Sequence, residues 1–218
     1  MILGSFIVTI LSALVATPIA IGAAVFMTEI SPKYGAKILQ PAIELLTGIP
    51  SVVYGFIGLQ VIVPFTRSIF GGTGFGILSG VCVLFVMILP TVTFMTIDSL
   101  KAVPRHYKEA SLAMGATRWQ TIWRVILNAA RPGIFTAVIF GMARAFGEAL
   151  AIQMVVGNSA VVPTSLTTPA ATLTSVLTMG IGNTVMGTVQ NNVLWSLALV
   201  LLIMSLGSVS YTHLRAHE

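Results

Sequence analysis

The sequence predicts an all-α integral membrane protein, and its composition and hydropathy predict this fold class. Of the 218 residues, 56% are hydrophobic and only 8% are charged, and the mean hydropathy is +0.98. A soluble domain carries about 25% charged residues. A chain with so little charge belongs in a bilayer, and we expect membrane lipid around its helices.

Five segments are apolar enough to cross a membrane as helices. A span needs about 20 apolar residues. The segments are 2–28, 38–64, 75–97, 132–156 and 193–209. An odd number of spans places the two ends of the chain on opposite sides of the membrane. The sequence therefore predicts one multi-pass membrane domain over residues 1–209.

The basic residues indicate how the spans are oriented. Lys33 and Lys37 follow the first span, the Lys- and Arg-rich segment 101–131 follows the third, and Arg215 follows the fifth. Because cytoplasmic loops carry an excess of Lys and Arg, we expect these loops to be cytoplasmic and Met1 to be external. The net charge of +5 is then a topology signal, and we expect no nucleic-acid partner.

Both ends of the sequence are abrupt. Met1 opens directly into apolar sequence without the basic region and cleavage site of a signal peptide, so we expect that a preceding span is missing. The tail 210–218, SYTHLRAHE, differs from the aliphatic run before it, and both a native tail and a foreign sequence stay open. We expect no metal site in the tail. Cys82, inside the third span, is the lone cysteine, so no disulfide forms within the chain.

Two prolines inside predicted spans are candidate helix bends. Pro50 lies in the second span and Pro90 in the third. A proline inside a helix frees a backbone carbonyl, which in a bilayer needs a partner in protein or in a water-lined cavity. We expect both spans to bend at these positions.

The charged segment 101–131, KAVPRHYKEASLAMGATRWQTIWRVILNAAR, holds most of the chain's Lys and Arg residues. Pro104 suits the first turn of a helix, and Gly115 can take the left-handed conformation that ends one. Thr117 and Gln120 have the spacing of a capping box, and an amphipathic helix follows them. Spacing alone fits two interfacial helices anchored by tryptophan as well as a docking surface for a partner.

The stretch EASLAMGATRWQTIWRVIL resembles the EAA loop of ABC importer permeases. The matching residues are Glu109, Ala110, Gly115, Ile126 and Leu127, while Asn128 stands where the family usually has proline. The resemblance implies a type I ABC importer transmembrane domain with a cytoplasmic coupling loop at about 99–131. It also implies that a coupling helix containing Glu109, Ala110 and Gly115 docks on a separate ATPase subunit.

Three further stretches narrow the resemblance. IELLTGIPSVVYGFIGL, ILPTVTFMTIDSLKAVP and ARAFGEALAIQMVVGN together resemble the C-type permease subunits of phosphate ABC transporters. The resemblance implies an A-type permease subunit as heterodimer partner, a dimeric ATPase subunit, an external phosphate-binding protein and phosphate as substrate. It also implies a bacterial inner membrane location, and a short helix around ATLTSVLTM in the external loop at about 157–192, where the binding protein would dock.

Arg144 and Glu148 are the ionisable residues well inside a predicted span. An Arg near the bilayer centre costs about 2.5 to 3.5 kcal/mol on insertion scales, so these side chains should face protein or water. Four residues apart on a helix, they lie on one face and can form a buried pair that fixes helix packing. The alternative is a substrate pathway. There, Arg144 binds an oxyanion, and Glu148 either positions Arg144 or accepts a hydrogen bond from a protonated oxygen of the anion. The family's RAxGE pattern favours the pathway.

The sequence lacks the GxxxxGK[ST] loop that binds nucleotide phosphates. We therefore expect a permease subunit that is not itself an enzyme and binds no cofactor or metal, with ATP used by the partner ATPase subunit. Because one Arg does not specify a tetrahedral anion, a permease for sulfate or molybdate stays an alternative. A secondary transporter is a further alternative, although the inverted repeat common in that class is not found.

Overall fold

The computed structural model describes residues 1–215. In this range five helices are long and apolar enough to cross a membrane, which confirms the predicted number of spans. They are α1 (Ile2–Ile30), α3 (Ser51–Phe70), α4 (Ile77–Lys101), α6 (Arg118–Gly147) and α9 (Val189–Arg215). The shorter helices are α2 (Gln40–Gly48), α5 (Arg105–Ala113), α7 (Leu150–Val155) and α8 (Leu173–Ile181), and helical turns at Pro32–Tyr34 and Gly35–Leu39 lead directly into α2.

Helix α4 is the centre of the bundle, and α1 and α6 pack along it. Leu84, Met87 and Ile88 of α4 are fully buried. Gly141 lets α6 approach closely, because a Cβ atom at that position would lie 2.5 Å from Val92 Cγ2. Small residues at helix contacts are typical of membrane bundles, where packing rather than hydrophobic exclusion drives association.

The second predicted span, 38–64, is two helices rather than one. Helix α2 ends at Gly48, and the backbone of Ile49 and Pro50 is extended, with ψ angles of 127° and 142°. Proline disfavours a helical conformation in the residue before it, so α3 begins only at Ser51. Pro50 marks a complete break. Helix α4 continues through Pro90, and a bend at Pro90 stays a prediction.

The predicted limits of the fourth span, 132–156, are wrong at both ends. The helix that follows the Thr117 capping box runs into the span without interruption, so α6 begins at Arg118. It ends at Gly147, because glycine is a poor helix former and Glu148 has a ψ angle of 122°. Glu148 Oε1 then accepts a hydrogen bond from the N–H of Ala151, in the first turn of α7.

The loops collect at two ends of the bundle. We call the end that holds α5 the basic end. Beneath α5, an apolar cluster packs the ends of the neighbouring helices together. Its buried residues are Ala24, Val25, Met27, Ile43, Ile97, Leu100, Ile122, Ile126 and Ala130. At the opposite, polar end, Leu173 N donates to Ser5 Oγ at 2.9 Å, and Leu78 N donates to Leu166 O at 2.8 Å. The expected short helix in ATLTSVLTM is present as α8.

The expected tail, 210–218, does not begin at a helix end. Helix α9 continues through residues 210–215. The rest of that segment, 216–218, lies outside the described residues.

Candidate functional site

The two helix breaks, after Gly48 and after Gly147, are each followed by a helix, and these two helices contact each other. The helices that begin after them, α3 and α7, pack together at Gly55, where a Cβ atom would lie 2.8 Å from Ala151 Cα. The α7 backbone cannot move away cheaply, so only glycine fits this position. The contact places both interruptions in one region of the bundle.

Arg144 lies in the last turn of α6, and its Nη1 donates to Thr91 Oγ1 of α4 at 2.7 Å. Thr91 is 9% exposed, and Arg144 is half-buried. In α4, Thr91 comes 14 residues after Ile77 and 10 residues before Lys101. At 1.5 Å per residue it is about 21 Å and 15 Å from the two helix ends. The bond therefore lies near the middle of the bundle.

Two features of the fold favour the positive charge of Arg144. The C-terminal end of a helix carries a partial negative charge that stabilises a cation by about 0.3 to 1 kcal/mol. The bond to Thr91 uses one of the five N–H donors of the guanidinium. The remaining donors can meet the oxygens of an anion, and Arg binds such groups with a planar fork.

Tyr54, a buried residue of α3, stabilises the first break. Its hydroxyl donates to Leu46 O at 2.5 Å. In an uninterrupted helix this carbonyl would accept from the N–H of residue 50, but Pro50 has none. The Tyr54 hydroxyl replaces the missing donor, so the break leaves no orphaned carbonyl at Leu46.

Arg144 and Glu148 do not form the ion pair that their spacing would allow on an unbroken helix. Among the described side chains the one ion pair joins Lys108 to Glu29. Because α6 ends at Gly147, Glu148 is no longer on the helical face that carries Arg144. Its carboxylate serves instead as the acceptor for the Ala151 N–H at 3.1 Å. A role for Glu148 in a substrate pathway stays a prediction.

At the basic end, the predicted short helix is present as α5. Glu109 and Ala110 are exposed, and no residue of α5 is buried. Gly115 follows with φ +84°, and a Cβ atom there would meet nothing within 4 Å. Within this chain Gly115 is therefore required for its left-handed backbone. The helix presents an open surface that no described residue of the chain covers.

Polar contacts attach this exposed helix to the bundle. Lys108 Nζ lies 2.5 Å from Glu29 Oε2 at the end of α1, and Ser111 Oγ lies 3.0 Å from Thr121 Oγ1 in α6. Both bonds of the predicted capping box are present, with Gln120 N donating to Thr117 Oγ1 at 3.3 Å and Thr117 N donating to Gln120 Oε1 at 2.9 Å.

Sequence reasoning missed Tyr54, Thr91 and the Lys108–Glu29 pair. A signal for Tyr54 exists, since a hydroxyl one turn after Pro50 can serve the carbonyl that the proline frees. Thr91 directly follows Pro90, but nothing in its spacing identifies Arg144 as its partner. Lys108 and Glu29 are 79 residues apart, and only the fold brings them together.

The sequence profile of the family described as "binding-protein-dependent transport system inner membrane component" matches residues 16–217. The chain belongs to this family. It is 58% identical over 205 residues to the probable ABC transporter permease protein YqgH of Bacillus subtilis (strain 168), a match that covers 94% of the chain and 66% of that relative. It is 35% identical over 196 residues to the phosphate transport system permease protein PstC of Mesorhizobium japonicum, covering 81% of the chain and 60% of the relative.

The chain therefore spans 60% to 66% of the length of these two relatives. Solved structures confirm the expected fold of this inner membrane component. An inward-facing conformation of the MetNI methionine ABC transporter matches with a TM-score of 0.70 at 21% identity, covering 97% of the chain and 93% of its own. An amino acid ABC transporter matches with a TM-score of 0.67 at 19% identity, covering 98% and 89%. The fold is that of a type I ABC importer transmembrane subunit, and the protein is a multi-pass plasma membrane protein.

Proposed function

We propose that the chain is the permease subunit of an ATP-driven phosphate importer and that it forms half of the translocation pore. The observation that supports this most is the position of Arg144. It is a cation near the middle of an apolar bundle, close to two helix breaks, and most of its N–H donors are not used by the bond to Thr91. The 35% identity to a phosphate transport system permease over 81% of the chain supports phosphate as the substrate.

The chemistry of Arg144 suits a passing oxyanion. Phosphate that leaves water loses hydrogen bonds to its charged oxygens, and the guanidinium replaces several of them in a planar, bidentate geometry. A transport site must attract the ion and still release it. A single Arg already bonded to Thr91 meets both requirements better than a cluster of cations would.

The proposed mechanism begins at α5. This helix is the coupling helix, and Glu109, Ala110 and Gly115 contact a dimeric ATPase subunit that binds and hydrolyses ATP. Closure of the ATPase dimer displaces α5. The continuous helix α6 starts three residues after Gly115 and reaches Gly147, 30 residues or about 45 Å in all. It contains a π-helical turn at Ile122–Ile126 and a proline, Pro132, and the displacement passes along it to Arg144.

The helix breaks supply the points at which the bundle deforms. The extended backbone at Ile49–Pro50 and the one at Glu148 interrupt two spans beside Arg144. Broken helices near the bilayer midplane are typical of substrate sites in transporters. Glu148 belongs to this proposal because its carboxylate accepts the Ala151 N–H in the first turn of α7 and so stabilises the second break.

The remaining partners follow from the same proposal. A similar A-type permease subunit supplies the other half of the pore. An external phosphate-binding protein delivers phosphate at the polar end, where residues 157–188 cover the ends of the spans. The chain itself binds no cofactor, and ATP is used only by the ATPase subunit.

The test is ATPase activity in liposomes. The full-length chain is assembled with the A-type subunit, the ATPase subunit and the binding protein, and phosphate, sulfate or molybdate is added. We expect stimulation by phosphate that excess sulfate and molybdate do not compete away. Stimulation by sulfate or molybdate alone would assign another oxyanion. Phosphate uptake that needs an ion gradient and no ATP would instead indicate a secondary transporter.

A further inference from the structure

A large groove runs between α1 and α6 at the basic end of the bundle. Its volume is about 1480 Å³, larger than the 300 to 1,000 Å³ of a typical small-molecule site. Thr17 to Ile30 of α1 and Trp119 to Ile139 of α6 contribute its walls. Neither Arg144 nor Thr91 lines it, so the groove is separate from the site described above.

The lining of the groove is apolar over most of its length and polar near the basic end. From Pro132 to Ile139 on α6, and along most of the α1 wall, the lining side chains are almost all apolar. Arg131 and, one turn before it, Asn128 interrupt this surface with polar groups. A ligand that fits must combine a long apolar part with a polar end.

The polar end of that ligand must be anionic. Arg131 is exposed and is the one charged residue that lines the groove in the described part of the chain. None of the lining residues is acidic. Glu29, next to the lining residue Ile30, is already paired with Lys108 at 2.5 Å. The charge of Arg131 therefore has no carboxylate partner among the described side chains.

Two tryptophans mark the level of this end of the groove. Trp119 and Trp123 line it, are 59% and 55% exposed, and contact each other edge to face with ring centroids 5.7 Å apart. Tryptophan is enriched where the headgroups of a membrane meet its hydrocarbon core. Asn128 and Arg131 lie five and eight residues, about 8 and 12 Å, further along α6 than Trp123, and a long Arg side chain can extend back towards the headgroups.

We propose that this groove binds an anionic phospholipid of the leaflet at the basic end. Arg131 binds the lipid phosphate, and an acyl chain lies along the apolar walls between α1 and α6. Basic pockets between membrane helices on the cytoplasmic side are the sites at which anionic headgroups bind. The bound lipid would fill the space beside the helix that joins α5 to Arg144.

The experiment detects the occupant directly and does not depend on transport. The full-length chain, assembled with its partner subunits, carries the photoreactive residue benzoylphenylalanine at Ile139, eight residues or about 12 Å beyond Arg131. A control carries it at Phe140, which is 51% exposed and does not line the groove. Vesicles contain equal amounts of phosphatidylglycerol and phosphatidylcholine, and mass spectrometry identifies the adducts after illumination.

We expect a several-fold excess of phosphatidylglycerol adducts at position 139 and no excess at position 140. Arg131→Gln removes the excess, and Arg131→Lys retains it. Arg124→Gln is the matched control, because Arg124 is exposed at the same end of α6 but does not line the groove. It is expected to leave the excess unchanged.

Four results would overturn the proposal. A protein adduct at position 139 would mean that another segment or a partner subunit covers the groove. Equal adducts of the two lipids would mean that bulk lipid fills it. Loss of the excess in Arg124→Gln would indicate unspecific attraction to a basic surface. Loss of the excess when inorganic phosphate is added would assign Arg131 to free phosphate.

Discussion

Lys108 of α5 and Glu29 of α1 form an ion pair, with Nζ and Oε2 2.5 Å apart. The side chain of Glu29 is 12% exposed and that of Lys108 is 44% exposed. No residue of α5 is buried, so this pair is one of the few attachments that the helix has. It connects the proposed coupling helix to a second membrane span in addition to α6.

We predict that Lys108→Gln lowers the amount of phosphate imported per ATP hydrolysed. Half-exposed ion pairs contribute at most about 1 kcal/mol, so the thermal stability of the assembled complex should change little. The double exchange Glu29→Lys with Lys108→Glu should restore coupling. Lys101→Gln, which removes an exposed charge that forms no ion pair with a described side chain, is the control. Full coupling in Lys108→Gln would show that the pair transmits nothing.

Gly115→Asp should uncouple ATP hydrolysis from transport. Asp adopts the left-handed conformation more easily than most residues, and a Cβ atom at Gly115 meets nothing within 4 Å in the described part of the chain, so α5 should stay folded. The added bulk and charge would instead disturb the contact with the ATPase subunit. Gly187 also has φ +84° and open space around it, but it lies at the polar end. Uptake and ATPase activity are measured for both variants, and equal effects would rule out α5 as the docking element.

Thr91→Val should reduce phosphate uptake several-fold, and Thr91→Ser should retain most of it. Valine keeps the shape of Thr91 but removes the acceptor at 2.7 Å from Arg144 Nη1. An unmet buried donor costs about 1 to 3 kcal/mol, so the guanidinium would move to another partner. Uptake is compared at equal amounts of assembled complex. If Val and Ser behave alike, the hydroxyl does not position Arg144.

The number of spans and the helices around Gly115 could be predicted because they depend on local patterns. Length and hydropathy define a span, and the capping box from Thr117 to Gln120 depends on four consecutive residues. The proline at position 50 predicted a bend, but the sequence did not show that the helix would end there completely. It depends on Tyr54, whose hydroxyl takes over the carbonyl of Leu46.

The arrangement of Arg144 could not be predicted from spacing. The i, i+4 rule assumes a continuous helix, and the helix ends between Arg144 and Glu148. The Ala151 N–H binds the Glu148 carboxylate, while Thr91 from another helix binds the guanidinium. Both hydrogen bonds depend on tertiary packing, which a single sequence does not reveal.

The close contact between α3 and α7 gives a prediction about stability. Gly55→Ala should destabilise the protein by about 1 to 3 kcal/mol, because the new Cβ atom would lie 2.8 Å from Ala151 Cα and overpacking has costs of this size. Gly48→Ala is the control, since a Cβ atom there meets nothing within 4 Å. Thermal unfolding in detergent measures both, and equal midpoints would contradict the packing described.

The most direct test of the central claim is phosphate-stimulated ATPase activity of the assembled complex in liposomes, with Arg144→Gln compared with the unaltered full-length chain. We predict that Arg144→Gln assembles normally but abolishes the stimulation, and that Arg144→Lys restores part of it, because Lys keeps the charge without the planar fork. Normal stimulation in an assembled Arg144→Gln complex would contradict the claim that phosphate passes Arg144.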